Sequence, residues 1–418
     1  MGYKMEKYLD RRTVLKYAGV LGLGIILTCF PVIGAAKNVA EVKVGVIDAF
    51  SGFLAKTGGW NKKAYMMAEE EINNAGGIKS LGGAKLKLIF GDCEGKARVG
   101  MAVAEKFCNE GMVALVGCYQ SPVSFATTQV AEKYKVPQLV PVGVADNITE
   151  RGFKYTFRHN AKASWLGRDT FAFLKYIGNK TGVKPKTAVI LSNDTSYPQS
   201  VAKAHEEYAK KTGLVKILGN FSYPMRTSDL STEISKIKAL RPDVLLSTCY
   251  LPDGILIIRT MKELDLNLMA HIMIGGPLEI EFAQTLGKLA ENILSCTGGW
   301  NPDVKVPGAK ELNERFKKRF GRDMAAITSM CYGTIFTLKK ALEIAGSVDR
   351  ERLRDALTKI DIPLGKGIMA HGVKFGPGGQ NIEAKNLMLQ VRAGRLVTCW
   401  PPSVAPVEAI WPLPSWKK

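Results

Sequence analysis

Residues able to do chemistry are few in this chain of 418 residues, and they are scattered. The four histidines, His159, His205, His271 and His371, stand far apart, with no Cys/His metal spacing around them. Seven cysteines follow the first 36 residues, namely Cys93, Cys108, Cys118, Cys249, Cys296, Cys331 and Cys399, and no CxxC pair occurs. Glu69-Glu70-Glu71 sets three carboxylates in a row, but on a helix whose apolar stripe faces elsewhere, which reads as a solvated face. There is no GxGxxG after the first strand, no Walker A loop, no GxSxG elbow and no HExxH. The expectation is a non-enzyme without cofactor or metal. A predicted helix begins at about residue 121. Ser121 opens it, where its hydroxyl beside free N–H groups would seat a carboxylate; it could equally serve as a plain N-cap.

The elements that position such a group follow a regular rhythm. Strands are predicted at Val42–Val46, Leu86–Phe90, Val113–Val116 and Val136–Val140. Helices run between them through Ala64, Met67, Ala68 and Ile72, then Val99, Ala102, Val103 and Phe107, then about 121–134. The rhythm restarts with strands at Thr187–Leu191, Val215–Leu218, Val244–Ser247, His271–Ile274 and Ile293–Cys296. Strand–helix alternation with short loops predicts parallel sheets covered by helices, and two such series predict two α/β lobes. Long helical stretches follow at about 309–320 and 326–345, then strands with turns around Val373–Phe375 and Leu387–Val391. A proline-rich tail, 401–418, is expected to lie extended over the surface. Ligands of open α/β sheets sit beyond the carboxyl ends of the strands, so two facing lobes would enclose a solute and hinge shut on it.

The first 36 residues carry Arg11-Arg12, then an uncharged stretch from Tyr17 to Ala36 ending in Gly34-Ala35-Ala36. This reads as a twin-arginine signal peptide, removed on export to the periplasm. A retained membrane anchor is the alternative, weakened by the glycines and Pro31. Leu27-Thr28-Cys29 is only a loose fit to a lipoprotein box. Formal charge is +20, of which the leader supplies +3. The basic residues are scattered, without an arginine tract or an aromatic ladder, so nucleic-acid binding is not expected. A solvated basic surface is the plain reading, and one that could steer anionic solutes inward. Cys93 and Cys118 both fall just after predicted strands, where loops cluster, and could form a disulfide in an oxidising compartment.

Several stretches, in order, resemble one family. Val44-Gly45-Val46-Ile47-Asp48-Ala49-Phe50-Ser51-Gly52, Glu70 to Ile78, Leu115 to Ser121, Ile148 to Arg158, Arg241-Pro242-Asp243-Val244 and Phe375 to Gln380 are similar to type I periplasmic solute-binding proteins of the branched-chain amino-acid class. The resemblance covers nearly all of the chain after the leader. It implies two doubly wound lobes joined by a three-crossing hinge, lobe 1 over 41–160 and 299–370 and lobe 2 over 161–298 and 371–400. The crossings would fall near Asn160-Ala161, Thr297-Gly298 and Ala370-His371. It also implies an extracytoplasmic receptor for an ABC importer, whose partners are a small solute and a permease with cytoplasmic ATPases; membrane contact would be through the permease alone. A sensory module signalling to a membrane receptor, or an enzyme on the same scaffold, are the alternatives.

The resemblance carries ligand contacts onto Gln120 and Ser121 at the helix after the third strand, with Tyr119 beside them. It also carries them onto Gly143 and Val144 after the fourth strand, where the family commonly has a hydroxyl residue, and onto Tyr197 and Tyr250. Asp253 could be a pocket acid or a helix cap. The family's acid for an α-ammonium follows the strand ending near Ile274, where this chain has Gly275-Gly276-Pro277 and no carboxylate before Glu279. Trp60 lies near a pocket-lining position. With two polar anchors missing, the expected solute is not a simple aliphatic amino acid. Aromatic or apolar groups against Trp60, Tyr119, Tyr197 and Tyr250, with a carboxylate or amide near Ser121, fit better.

Overall fold

The structure is a computed structural model and describes residues 39–414. The expected signal peptide and the last four residues lie outside the described residues. Strand β1 (Glu41–Asp48) is followed by α1 (Ala55–Asn74), β2 (Lys85–Asp92), α2 (Ala97–Asn109), β3 (Ala114–Val116), α3 (Ser121–Lys133), β4 (Gln138–Val140) and β5 (Thr156–Arg158). These strands form one parallel sheet in the order β2-β1-β3-β4-β5.

The second series is α4 (Ala163–Thr181), β6 (Thr187–Asn193), α5 (Ser196–Thr212), β7 (Lys216–Tyr223), α6 (Ser231–Leu240), β8 (Val244–Cys249), α7 (Leu251–Glu263), β9 (Ala270–Gly275), α8 (Ile280–Leu286) and β10 (Leu294–Gly298). The chain then returns to the first lobe through α9 (Ala309–Phe320), α10 (Ala326–Ala345), α11 (Arg350–Thr358) and the short pair β11 (Asp361–Ile362) and β12 (Val373–Lys374). It ends in β13 (Asn386–Arg392) and β14 (Arg395–Trp400), which add antiparallel to the second sheet, ordered β14-β13-β10-β9-β8-β6-β7. The two doubly wound lobes expected from the strand–helix rhythm are both present.

Burial explains why these segments are strands. Ala188 and Ile190 of β6 pack under one helical layer, whereas Val189 and Leu191 pack under the other, so both faces of the strand are apolar. Close approaches depend on two glycines at positive φ. At Gly275 (φ 105°) a Cβ would stand 2.0 Å from the Cys249 carbonyl oxygen, and at Gly379 (φ 76°) 1.7 Å from that of Thr156.

The third crossing differs from the expectation at Ala370-His371. Val373 to Gln380 stays on the first lobe: Gln380 bridges Arg158 at the edge of β5, and Asn381 pairs with Phe375. The buried Arg158 guanidinium binds Gln380 Oε1 at 2.6 Å, the Ala145 carbonyl at 2.7 Å and Thr149 Oγ1 at 2.7 Å. A buried cation must find such acceptors, and Gln380 supplies one. The chain therefore crosses to the second lobe between Asn381 and Asn386.

The tail runs over the second lobe, with Trp411 edge-on to Phe173 and donating to the Val183 carbonyl at 2.9 Å. The expected Cys93–Cys118 disulfide is absent: both are free, buried thiols, and Cys118 Sγ faces Thr127 Oγ1 at 3.8 Å. Among the described residues no helix is long and apolar enough to cross a membrane.

Candidate functional site

Each sheet has one place where strand order reverses, between β1 and β3 in the first and between β6 and β8 in the second. Loops diverge there and leave a crevice beyond the strand ends. The two crevices meet across the lobes and enclose a cavity of about 50 Å³. The first lobe supplies Tyr119 and Ser121 from the β3–α3 turn, Val142 and Val144 after β4, and Ile327 and Met330 from the first turns of α10. The second supplies Tyr197, Tyr250, Leu166, Ile274 and Leu278, with Cys296, Thr297 and Gly298 at the end of β10. Asn160 lies at the first crossing.

The wall is mostly apolar and carries no carboxylate and no cationic side chain. Tyr250 sits between two other rings, 5.8 Å from Tyr119 and 5.5 Å from Tyr197 between centroids. The polar groups are the Asn160 amide and a set of hydroxyls, of which those of Ser121, Thr297 and Tyr250 have spare capacity. Ser121 Oγ accepts from Val144 N at 3.0 Å and Ala145 N at 3.2 Å, which fixes the β4 loop and leaves the hydroxyl proton to give. The Thr297 and Tyr250 hydroxyls are buried without a partner. No side chain caps the N-terminus of α3; Pro122 has no N–H and Ser124 N donates to the Gln120 carbonyl at 2.9 Å, so the N–H groups left open in the first turn are those of Ser121 and Val123. Buried donors left unpaired cost free energy that an acceptor on a bound solute recovers. The wall offers hydrogen-bond donors at one end and apolar surface along the rest.

Of the residues singled out from the sequence, Tyr119, Ser121, Val144, Tyr197 and Tyr250 line this cavity together. Five stand outside it. Gln120 precedes α3, buried, with its Oε1 unpartnered. Gly143 is pressed against Ser124, whose Oγ lies 2.7 Å from where a Cβ would be. Gly276 packs on the Tyr250 carbonyl. Asp253 is neither cavity acid nor N-cap: Tyr250 is the N-cap of α7, and Asp253, three residues on, reaches back to accept from Tyr250 N at 2.8 Å, with Asn193 Nδ2 at 2.9 Å and Tyr223 OH at 2.8 Å, and burial raises its pKa. Trp60 is at the rim, donating Nε1–H to Glu281 Oε1 at 3.1 Å.

The sequence marked Asn160 and Thr297 only as hinge crossings and gave Ile327 and Met330 no role, because no motif marks the first turn of a distant helix. It also gave Glu279 no role. Glu279 is buried between the lobes and accepts from Thr57 Oγ1 at 2.6 Å and Tyr119 OH at 3.3 Å. Burial pushes its pKa up to about 7; the Thr57 bond opposes this, Glu281 adds to it, and Tyr119 and Arg322 oppose it. Burial also acts to raise Glu281, yet its bonds with Arg322 hold it below the ordinary value.

A profile of the periplasmic binding proteins matches residues 41–395. The chain belongs to the periplasmic binding protein family. Curated relatives of this periplasmic binding protein include a Leu/Ile/Val-binding protein homologue from Brucella suis, 29% identical over 384 residues, covering 89% of this chain and 94% of that one. Among solved structures, a leucine binding protein from Thermotoga maritima superposes with a TM-score of 0.76 at 22% identity, over 87% of this chain and 98% of that one. A solute binding protein of an ABC transporter from Rhodopseudomonas palustris, in complex with 3,4-dihydroxybenzoic acid, superposes at 0.73 with 18% identity, over 90% and 99%. These likenesses establish the two-lobed fold of type I periplasmic binding proteins.

Proposed function

We propose that this periplasmic binding protein is the exported receptor of an ABC importer, and that its solute is a small carboxylate with an apolar or aromatic body. The observation that carries this reading is the cavity wall, where three hydroxyls with protons to give, from Ser121, Thr297 and Tyr250, face an otherwise apolar, uncharged space at the open N-terminus of α3. The carboxylate seats on Ser121 and the α3 N–H groups, and the body packs among Tyr119, Tyr197 and Tyr250. The solute meets one lobe first, and contacts from the other favour closure about crossings at 158–163, 298–309 and 381–386. The closed surface is then offered to the permease. The aromatic acid bound by the Rhodopseudomonas neighbour is a solute of this class.

A second reading, a branched-chain amino acid, has the Leu/Ile/Val-binding relative in its favour and requires Glu279 as the partner of the ammonium. Calorimetric titration with benzoate derivatives, small amides, leucine and isoleucine separates the two. Tight binding of a simple carboxylate supports the first reading. Tight binding of leucine with none of the des-amino acid reverses it.

A further inference from the structure

The rim of the cleft holds a cluster that the cavity does not use. Glu281, at the start of α8 on the second lobe, is almost fully buried against three side chains of the first lobe. Arg322 Nη1 donates to its Oε1 at 2.6 Å and Nη2 to its Oε2 at 3.3 Å. Trp60 Nε1 donates to Oε1 at 3.1 Å, and Lys56 Nζ lies 3.6 Å away. The Trp60 ring underlies the Arg322 guanidinium at 4.0 Å and carries Lys63 Nζ at 3.7 Å on it. Two residues earlier, Glu279 accepts from Thr57 and Tyr119, also of the first lobe.

We infer that Glu281, Arg322 and Trp60 form a closure latch, in which Glu281 binds the opposite lobe and not the solute, and Trp60 is the positioning residue that holds Arg322 in register. The geometry supports this in three ways. Every partner of Glu281 given above lies on the other lobe, so the contacts form when the lobes meet and break when they part. The fork of the guanidinium matches the carboxylate, and its face is stacked, which fixes the orientation a free arginine would have to lose entropy to reach. None of the three residues reaches the cavity wall, so the latch adds the same free energy to closure whatever solute is bound. It sets overall affinity and leaves selectivity to the aromatic wall. A latch of this kind also biases the ligand-free protein toward the closed form, which lowers the rate of solute release.

This inference rests on hinge closure but not on which solute is bound, and its test keeps the two apart. Small-angle scattering is recorded on the ligand-free wild type, Glu281→Gln and Trp60→Ala, each with its melting temperature. Affinities for at least two solutes are measured in parallel, with Trp60→Phe as the conservative variant. The expected result is a larger radius of gyration for ligand-free Glu281→Gln and Trp60→Ala. Kd should rise roughly tenfold by the same factor for every solute, the loss of one charge-assisted contact. Trp60→Phe, which keeps a ring under Arg322, should recover most of the loss. A Kd ratio between solutes that changes with Glu281→Gln overturns the inference, because Glu281 then touches solute. Unchanged scattering and unchanged Kd overturn it as well. If wild type binds none of the solutes, the functional reading fails, while the ligand-free scattering still decides the latch.

Discussion

Replacing Glu279 by glutamine removes a charge that the closed protein buries at cost. Between the lobes Glu279 has its pKa raised from 4.5 to about 7, chiefly by burial. When the lobes part it faces water and takes its ordinary value. For an acid with a raised pKa in the closed form, closure is unpenalised below about 4.5 and grows costlier as pH rises to about 7, after which the penalty is constant. The shift corresponds to on the order of 3 kcal/mol, or up to about 300-fold in affinity where closure is coupled to binding. The groups facing Glu279 are Thr57, Tyr119, Glu281 and Arg322, with Lys56 one contact further out. Tyr119 is held well above 10, first by burial, and Glu281 below the ordinary carboxyl value, so neither of these titrates between pH 5 and 8.

Calorimetric titration at pH 5, 6, 7 and 8 with one high-affinity carboxylate reads the effect. Wild type should weaken steadily from pH 5 to 7 and then level off. Glu279→Gln retains an acceptor and a donor for Thr57 and Tyr119, so its affinity should be flat with pH and exceed that of wild type most at pH 8. Loss of binding in the variant at every pH would refute the reasoning and identify Glu279 as the anchor of a solute ammonium. Parallel pH profiles for the two proteins would refute the burial argument itself.

Four further outcomes follow from the same contacts. Ser121→Ala removes a donor to the carboxylate and the acceptor of two backbone N–H groups, so affinity should fall about 10- to 100-fold and stability by roughly 1–2 kcal/mol, read by calorimetry and chemical unfolding. Arg158→Met should cost about 3–5 kcal/mol of unfolding free energy, because Gln380, Thr149 and the Gly143 and Ala145 carbonyls, all buried, lose their shared donor. The four buried histidines are held neutral, with pKa values near 3 for His159, His205 and His271 and near 4 for His371, chiefly by burial. Their stabilising effect is full above pH 6.5 and is lost as pH falls below it. They outnumber Glu279, Asp48 and Asp253, whose raised values act the other way, so the melting temperature should drop from pH 6.5 to 4.5 even while closure improves. The seven free thiols of the described residues are all buried, so in protein lacking residues 1–36 a thiol reagent should label none in the native state and all seven after denaturation.

What was legible in the sequence follows the range of the interaction. Strand–helix alternation is local, and β1, β3, α3 and β8 lie where apolar period and glycine stops put them. Ser121 was legible as the start of α3, whereas the bonds its hydroxyl accepts from Val144 N and Ala145 N of the β4 loop were not. The cavity wall was half legible: Tyr119, Tyr197 and Tyr250 sit at strand ends that the fold brings together, whereas Ile327 and Met330 arrive from a helix some 200 residues after Ser121. The third crossing was misplaced for the same reason, since Gln380 stays on the first lobe to satisfy Arg158, a demand invisible from residues 370 to 380 alone. Trp60 looked like cavity lining because an aromatic near a cleft has two possible faces to serve, and only the position of Glu281 shows which.

The two glutamates two residues apart act in opposite directions, and that opposition explains how such a protein stays responsive. Glu281 is matched by Arg322, Lys56 and the Trp60 N–H, and it draws the lobes together. Glu279 is offered only two hydroxyls, no cation within hydrogen-bond reach, and at neutral pH it resists the same motion. A latch alone would hold the ligand-free protein shut and slow every exchange; a buried charge alone would tax every binding event. With the two near balance, the free energy released by filling the cavity is enough to decide the state. That balance is read directly in the double variant Glu279→Gln/Arg322→Gln. Its closure free energy should lie between those of the two single variants, and a double variant more closed than Glu279→Gln would show that Arg322 does not draw the lobes together at all.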